Sequence, residues 1–419
     1  MDKLVELKLP PLLGAAFPPN GIAPDYLPDL VALQAVLDAD IAPRAAETDR
    51  VGRYPTASIA ALKRSGFLKS VIPAAFGGRS VPHRVSMEAQ LRMAIADPAV
   101  AQIYKVHDEL VREIPTYCPP ALLPRLARAV VEDQAIIGLA VAEQGRRVDD
   151  PLTTTALPDG QGGFVVDGRK IYTTGAAEAD YIAVWAFNPQ APGVAENPFA
   201  GMQLNLIPPT TPGVTVHRDW DALGQRGTDS GTISFDQVKT DPNWNATIPG
   251  KFSPPHASLR YQVGFAAIMI GVGIAALKEA SRFVPTRSRP WPSAGVDNAA
   301  DDPHTRKIMG ELVTGLVAAY SLMLATADLL DAAERGDISR TELAIPVYAA
   351  KAAASEAALA ATSEIFTLMG TRAVAAGNGF DRHWRNARVL SLHDPVSWKY
   401  AEIGRHVLTG WEPEPGLYQ

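Results

Sequence analysis

Gly163-Phe164-Val165-Val166-Asp167-Gly168-Arg169-Lys170-Ile171-Tyr172-Thr173-Thr174-Gly175-Ala176 interrupts a chain whose apolar residues otherwise recur at helical spacing. Phe164-Val165-Val166 and Ile171-Tyr172-Thr173 read as short strands, because β-branched and aromatic side chains fill consecutive positions bounded by glycine. Asp167-Gly168 between them predicts a tight hairpin, whose central residues need positive φ. Alternation returns at Tyr181 to Trp185, Leu204 to Ile207 and Thr232 to Phe235, separated by Pro- and Gly-rich loops. A β region therefore runs from Ala135 to Gly250.

Outward from it the period is helical on both sides. From Pro24 to Val131, Leu30, Leu33, Leu37 and Ile41, then Ile59 and Leu62 with Phe67 after them, follow a helical period. After Pro254-Pro255, Ile308, Leu312, Leu316, Ala319, Met323, Ala327 and Leu330 mark one face of a long amphipathic helix. The alanine-rich run Ala349 to Ala361 continues through Ile365, Phe366 and Met369 until Gly370 stops it. Such small-residue helices pack closely, which predicts a four-helix bundle and a subunit contact. The fold class is α+β in three parts: 1–134, 135–250 and 251–419.

The chain has 419 residues, 47% hydrophobic and 20% charged, enough to bury a large core. Its net charge of −6 argues against nucleic-acid or anionic-membrane surfaces, which need clustered Lys and Arg. Cys118 is the single cysteine and reads as a helix-end thiol; no metal site is expected. Met1-Asp2-Lys3-Leu4-Val5-Glu6 carries charge where an export signal would be apolar, so a cytoplasmic location is expected. The longest charge-free apolar stretch, Val263 to Leu277, is shorter than the roughly 20 residues that span a bilayer and reads as a buried helix. No G-x-G-x-x-G turn between strand and helix supports a nicotinamide site.

Gly163 to Tyr181, and Gly224-Gln225-Arg226-Gly227-Thr228-Asp229-Ser230-Gly231-Thr232 after it, resemble flavin-contacting segments of the acyl-CoA dehydrogenase superfamily. With Gly66 to Gly78 upstream and Leu368-Met369-Gly370 downstream, the resemblance covers nearly the whole chain. Within the superfamily the sequence looks like the flavin-dependent monooxygenases of the dibenzothiophene-oxidising type. Three segments carry this: Thr228-Asp229-Ser230-Gly231 with Trp220, Arg287-Ser288-Arg289-Pro290-Trp291, and Trp384-Arg385-Asn386 running into His393-Asp394-Pro395-Val396.

The resemblance implies an N-terminal α-helical domain, a central β-barrel-like domain and a C-terminal four-helix bundle, assembled as a homotetramer. It also implies reduced flavin, FMN or FAD, from a separate NAD(P)H-dependent flavin reductase, with O2 as co-substrate and oxygen transfer from a C4a-hydroperoxyflavin. The substrate would be a small organic molecule of the sulfur- or nitrogen-containing or aromatic kind.

The candidate residues follow from what a flavin ring needs: an aromatic wall and hydrogen-bonding groups at its edge. Tyr172 and Trp220 suit the wall, and Thr174 and Ser230 suit the edge, where the resemblance implies that they and His393 supply the hydrogen bonds that stabilise or protonate the oxygen adduct. Arg287, Arg289 and Arg372 suit a flavin phosphate, which arginines at corresponding places contact in the family, often from a neighbouring subunit. His393 is the residue associated with activity in the sulfur-oxidising relatives. Asp394 has three readings: a contact to flavin or His393, the cap of a helix from Val396 to Leu408, or the proton-abstracting base of an FAD-dependent acyl-CoA dehydrogenase or nitroalkane-oxidase-like enzyme. One departure stands out. Gly138-Leu139-Ala140-Val141-Ala142 lacks the asparagine that the relatives carry there, and His107 is the candidate to replace it.

Overall fold

The computed structural model describes residues 16–18, 20–147, 150–248 and 256–416. The readings of Met1 to Glu6, of Pro254-Pro255 and of a boundary at 250 lie outside these residues. Among the described residues six α-helices come first: α1 (Leu27–Val36), α2 (Ala45–Val51), α3 (Thr56–Arg64), α4 (His83–Ala96), α5 (Pro98–Tyr117) and α6 (Leu122–Val131). Asp97 starts α5 by accepting from the Ala99 and Val100 amides at 2.9 and 3.4 Å, with Pro98 pre-set for the first turn. Cys118, free of disulfide and buried, follows its last residue.

The strands are β1 (Ile137–Ala140), β2 (Thr155–Pro158), β3 (Phe164–Lys170), β4 (Tyr181–Phe187), β5 (Met202–Ile207), β6 (Val214–Val216) and β7 (Ile233–Lys239). They form one curled sheet in the order β1-β4-β2-β3-β7-β6, with β5 also on β4. Asp167-Gly168 is not the hairpin. β3 runs straight through it, pairing Asp167 with Thr155, and the β2–β3 turn lies at Asp159 to Gly163, where Asp159 Oδ1 accepts from Gln161 and Gly163. The positive φ of Gly168, 145°, serves a shift in the register with β7 instead. Nor do Ile171-Tyr172-Thr173 form a strand. The chain turns after Lys170, and Tyr172 takes a left-handed φ of 55°.

Five helices close the chain: α7 (Ala257–Arg287), α8 (Pro303–Arg335), α9 (Arg340–Met369), α10 (Asp381–Ser391) and α11 (Val396–Thr409). α7, α8 and α9 pack on one another, α11 lies on α9, and α4 packs against α7 and α8. Every residue from Val263 to Leu277 is buried. A Cβ on Gly271 would stand 2.5 Å from the Leu91 carbonyl, so glycine is what lets α4 approach α7. On α8, Leu312, Leu316, Ala319, Met323, Ala327 and Leu330 are buried as the periodicity predicts. By length and composition α7 and α8 are each long and apolar enough to cross a membrane; α7 is wrapped by protein, whereas only a third of the apolar window of α8 is covered. A smaller core of Ala156, Val166, Ile182, Val184, Phe235 and Val238 sits within the sheet.

Candidate functional site

The loops after β3 and before β7 meet in a chain of hydroxyls. Thr174 Oγ1 lies 3.0 Å from Ser230 Oγ, which lies 2.7 Å from Thr228 Oγ1, and Thr228 donates to the Gln225 carbonyl at 2.7 Å. That last bond fixes the direction of the others, because each hydroxyl has one proton. Ser230 must donate to Thr228 and Thr174 to Ser230, leaving the half-buried Thr174 oxygen as an open acceptor. Trp220 Nε1 donates to the same Gln225 carbonyl at 3.0 Å, and its ring meets Tyr172 edge-on with centroids 6.2 Å apart. Tyr172 is 64% exposed, so its ring is available to cover a ligand.

These loops are strained. Tyr172, Arg218, Gln225 and Asp229 all have left-handed φ, a conformation that costs non-glycine residues ~1–3 kcal/mol each. An ion pair of 2.6 Å from Arg218 to the buried Asp229 and a 2.6 Å bond from the Gln225 amide to Asn386 Oδ1 on α10 hold them. Gly224 makes that contact possible, since a Cβ there would lie 2.2 Å from the Arg385 carbonyl.

α5 backs this edge. Ala99 approaches Gly227, Ile103 approaches Gly175, and Lys105 faces Phe265 of α7. Ile103 and Lys105 are about 3 Å apart along the helix axis, so the hydroxyl edge and a second, ionic cluster flank one helix. His107, on the same helix, does not line either. Its Nε2 faces the Leu68 carbonyl at 3.0 Å and its Nδ1 accepts from the Ile137 amide at 3.1 Å. Burial holds its pKa down to about 4. The expectation that His107 replaces the missing asparagine is thereby corrected: both ring nitrogens are used to staple α5 to the backbone of β1 and residue 68.

The ionic cluster lies around His393 and Asp394. The His393 ring stacks on Phe265 with centroids 4.2 Å apart, and its side chain is 41% exposed although its surroundings are dense. Lys105 and Lys351 Nζ sit 3.9 and 4.3 Å from the centre of the same Phe265 ring. The Asp394 carboxylate is buried. Its Oδ1 faces Lys351 Nζ and His393 Nδ1, each at 3.6 Å, and its Oδ2 faces Lys399 Nζ at 3.4 Å. With its amide nitrogen turned inward, Gln262 donates to both oxygens at 3.3 Å.

This corrects the capping reading. Pro395 is the cap residue of α11, no side chain caps that helix, and Asp394 points into the protein. Burial alone would push the Asp394 carboxyl up, but the His393 hydrogen bond and the Lys351 and Lys399 cations hold it well below the usual range. Burial, together with Lys351 and Lys105, lowers His393 against the pull of Asp394, so the imidazole is neutral at pH 7. Burial also brings Lys351 down to about 8, because the one carboxylate is shared among several donors.

Two of the three candidate arginines are joined to each other. Arg372 donates to the Arg287 carbonyl at 2.9 Å, Arg287 lies over the Phe283 ring, and Arg289 is exposed. Among the described residues no hydrogen bond joins them to Thr174 or Ser230. Gln225, Thr228, Asp229, Asn386, Gln262, Phe265, Lys105, Lys351 and Lys399 were not singled out as site residues by sequence. A signal existed for one: Lys351 interrupts the Ala-rich run four residues after Val347, on the stripe that Leu343, Val347, Ala354 and Ala358 bury.

A flavin ring fits the sheet side on one observation. Gln225 Oε1 and Asp229 Oδ1, in the segment that carries Thr228 and Ser230, are buried acceptors without a hydrogen-bond partner, and reduced flavin presents ring N–H groups. The comparisons with known proteins agree. Residues 31–128, 138–238 and 263–398 match the N-terminal, middle and C-terminal domains of acyl-CoA dehydrogenase. A dibenzothiophene monooxygenase of Mycolicibacterium goodii is 33% identical over 384 residues, 88% of this chain and 91% of that protein. A probable FMNH2-dependent monooxygenase of Pseudomonas putida, SfnC, is 31% identical over 93% of this chain and 97% of its own length. The FMN-bound structure of TdsC from Paenibacillus sp. A11-2 superposes with a TM-score of 0.86 at 29% identity, covering 93% of this chain and 100% of that one. The chain belongs to the acyl-CoA dehydrogenase superfamily, in the branch that holds the dibenzothiophene monooxygenases.

Proposed function

We propose that this protein is the oxygenating component of a two-component monooxygenase, which receives reduced FMN from a separate NAD(P)H-dependent flavin reductase and oxygenates a small organic substrate with O2. The observation that carries the reading is the set of groups around Asp394. A carboxylate held ionised by His393, Lys351 and Lys399 is a weak proton acceptor, which disfavours the alternative of a dehydrogenase with Asp394 as base. The neutral His393 imidazole beside it, with Nδ1 turned to Asp394, is suited to accept a proton at its other nitrogen.

When bound, reduced flavin supplies the two electrons that take one atom of O2 to water while the other enters the substrate. The chain's residues do the rest. Thr174, Gln225 and Asp229 accept from ring N–H groups, Ser230 and Thr228 hold the Thr174 proton away from them, and Tyr172 with Trp220 shields one side from water. Arg287, Arg289 and Arg372 serve a phosphate across a subunit contact. Exposed Trp291, Val374, Trp398 and Leu408, with the open side of α8, support a homotetramer built from the units 1–134, 135–250 and 251–419. The protein works in the cytoplasm, where the reductase finds its nicotinamide.

The test is the redox requirement. Purified protein is given dibenzothiophene, indole or methanesulfinate with O2 and either oxidised FMN or FMN reduced by a reductase, and product and hydrogen peroxide are measured. Product from reduced FMN only is expected. Bleaching of tightly bound oxidised flavin by an acyl-CoA or a nitroalkane under anaerobic conditions would overturn the reading in favour of a dehydrogenase or oxidase.

A further inference from the structure

Lys351 is the least satisfied cation described near the site. It rises from the middle of α9, its side chain is 0% exposed, and its Nζ has no hydrogen-bond partner among the described residues. An ammonium so placed is disfavoured unless something requires it. What it faces is specific. On one side is the Phe265 ring, which also carries His393 and Lys105; on the other is Asp394 Oδ1 at 3.6 Å, the same oxygen that faces His393 Nδ1 at 3.6 Å. Lys399, from α11, stands instead on Oδ2.

We propose that Lys351 is a positioning residue for His393: through their shared Asp394 oxygen it controls how strongly the carboxylate holds the imidazole, and so which ring nitrogen carries the proton. While Lys351 is charged, Oδ1 is divided between ammonium and imidazole. When Lys351 loses its proton, Oδ1 turns wholly to His393 Nδ1–H, which fixes that tautomer and makes Nε2 the better proton acceptor. The other groups facing the cluster do not duplicate this. Lys105 from α5 is paired with Glu109 at 2.6 Å, Lys399 uses the other oxygen and lies over Tyr348, and Gln262 from α7 is neutral and spans both oxygens. Lys351 titrates near 8, within reach of ordinary assays. The relevance to turnover rests on the functional reading above; the coupling itself does not.

The experiment is side-chain nitrogen NMR of His393 in flavin-free protein across pH 5 to 10, with the signal identified by its loss in His393→Gln. Wild-type protein should show the imidazole's own titration and a second inflection near pH 8. In Lys351→Met that inflection is lost and the imidazole midpoint rises. Lys351→Arg keeps the charge but cannot titrate in this range, so it loses the inflection while the midpoint stays; this variant and the wild type decide the matter if the methionine variant does not fold. Lys399→Met keeps the inflection. A single wild-type inflection, or an inflection that survives in Lys351→Arg, overturns the proposal. Because no flavin is present, a failed oxygenation assay and a failed coupling are separate results.

Discussion

The two sides of α5 solve the same problem with opposite means. On the sheet side, Thr174, Ser230 and Thr228 are neutral, satisfy one another in a line, and need only the strained turns at Tyr172, Gln225 and Asp229 to bring them together. On the helical side, Asp394, Lys351, Lys399 and Lys105 are charged and buried, and each is tolerable only because the others are there. Neutral groups can be removed singly at modest cost, whereas removing one member of a buried ionic set leaves the rest uncompensated. The sheet side should therefore respond to mutation in binding and the helical side in chemistry and stability.

The largest expected break comes from His393→Ala. Product formation with reduced flavin should fall ~10²–10⁴-fold, the usual range for a positioned proton donor or acceptor, while hydrogen peroxide release continues and reduced FMN still binds. Equal losses in binding and product would place His393 with the sheet-side groups. Asp394→Ala comes next: urea unfolding should show a loss of ~3–5 kcal/mol, the consequence of leaving Lys351 and Lys399 without their carboxylate. Asp394 has a lowered pKa, so its contribution is complete above the unfolded-state value near 4 and is lost only as pH falls below it.

The lysine has the reverse sign. Lys351 releases its proton near 8 in the folded protein against 10.5 as its ordinary value, so the unfolded chain binds more protons between these limits and stability rises with pH across them. The wild type should gain up to about 3 kcal/mol relative to Lys351→Met over that interval in unfolding measurements. A constant difference would mean that the folded protein holds the amine's proton as long as the unfolded chain does. On the sheet side Ser230→Ala interrupts the hydroxyl line between the half-buried Thr174 and the buried Thr228; reduced FMN affinity should weaken by ~1–3 kcal/mol, with product formed per flavin oxidised nearly unchanged. Tyr172→Ala should be the mildest, ~0.5–1.5 kcal/mol in the same titration, the worth of an aromatic face contact.

How much could be read beforehand differs between the sides for a physical reason. Thr174 and Ser230 were legible because they stand in short glycine-bounded segments where few roles exist for a hydroxyl. The direction of their hydrogen bonds was not, because it is imposed by the Gln225 carbonyl, whose position depends on a left-handed residue and on Asn386 of α10. Asp394 was legible as an aspartate before proline, open to a cap, a base or a contact to His393: the capping rule is sound, but burial against two lysines outweighs one capping bond, and the contact to His393 is the reading that the structure keeps. His107 failed as a candidate because nothing in Tyr104-Lys105-Val106-His107 says that the Leu68 carbonyl and the Ile137 amide will flank its ring.

By itself the sequence determined the order of helices, strands and helices, the buried stripes of α7, α8 and α9, and the flavin-linked identity of the segments at Tyr172 to Thr174, Thr228 to Gly231 and His393-Asp394. These are properties of periodicity and of short segments, which the chain carries wherever it folds. Only the tertiary structure decided that Asp167-Gly168 bends a strand instead of turning it, that Asp394 faces inward, and that Lys105 and Lys351 share the Phe265 ring with His393 while Lys351 and Lys399 share its Asp394 carboxylate. Charge interaction depends on distance in space and on exclusion of water, and neither quantity is written along the chain.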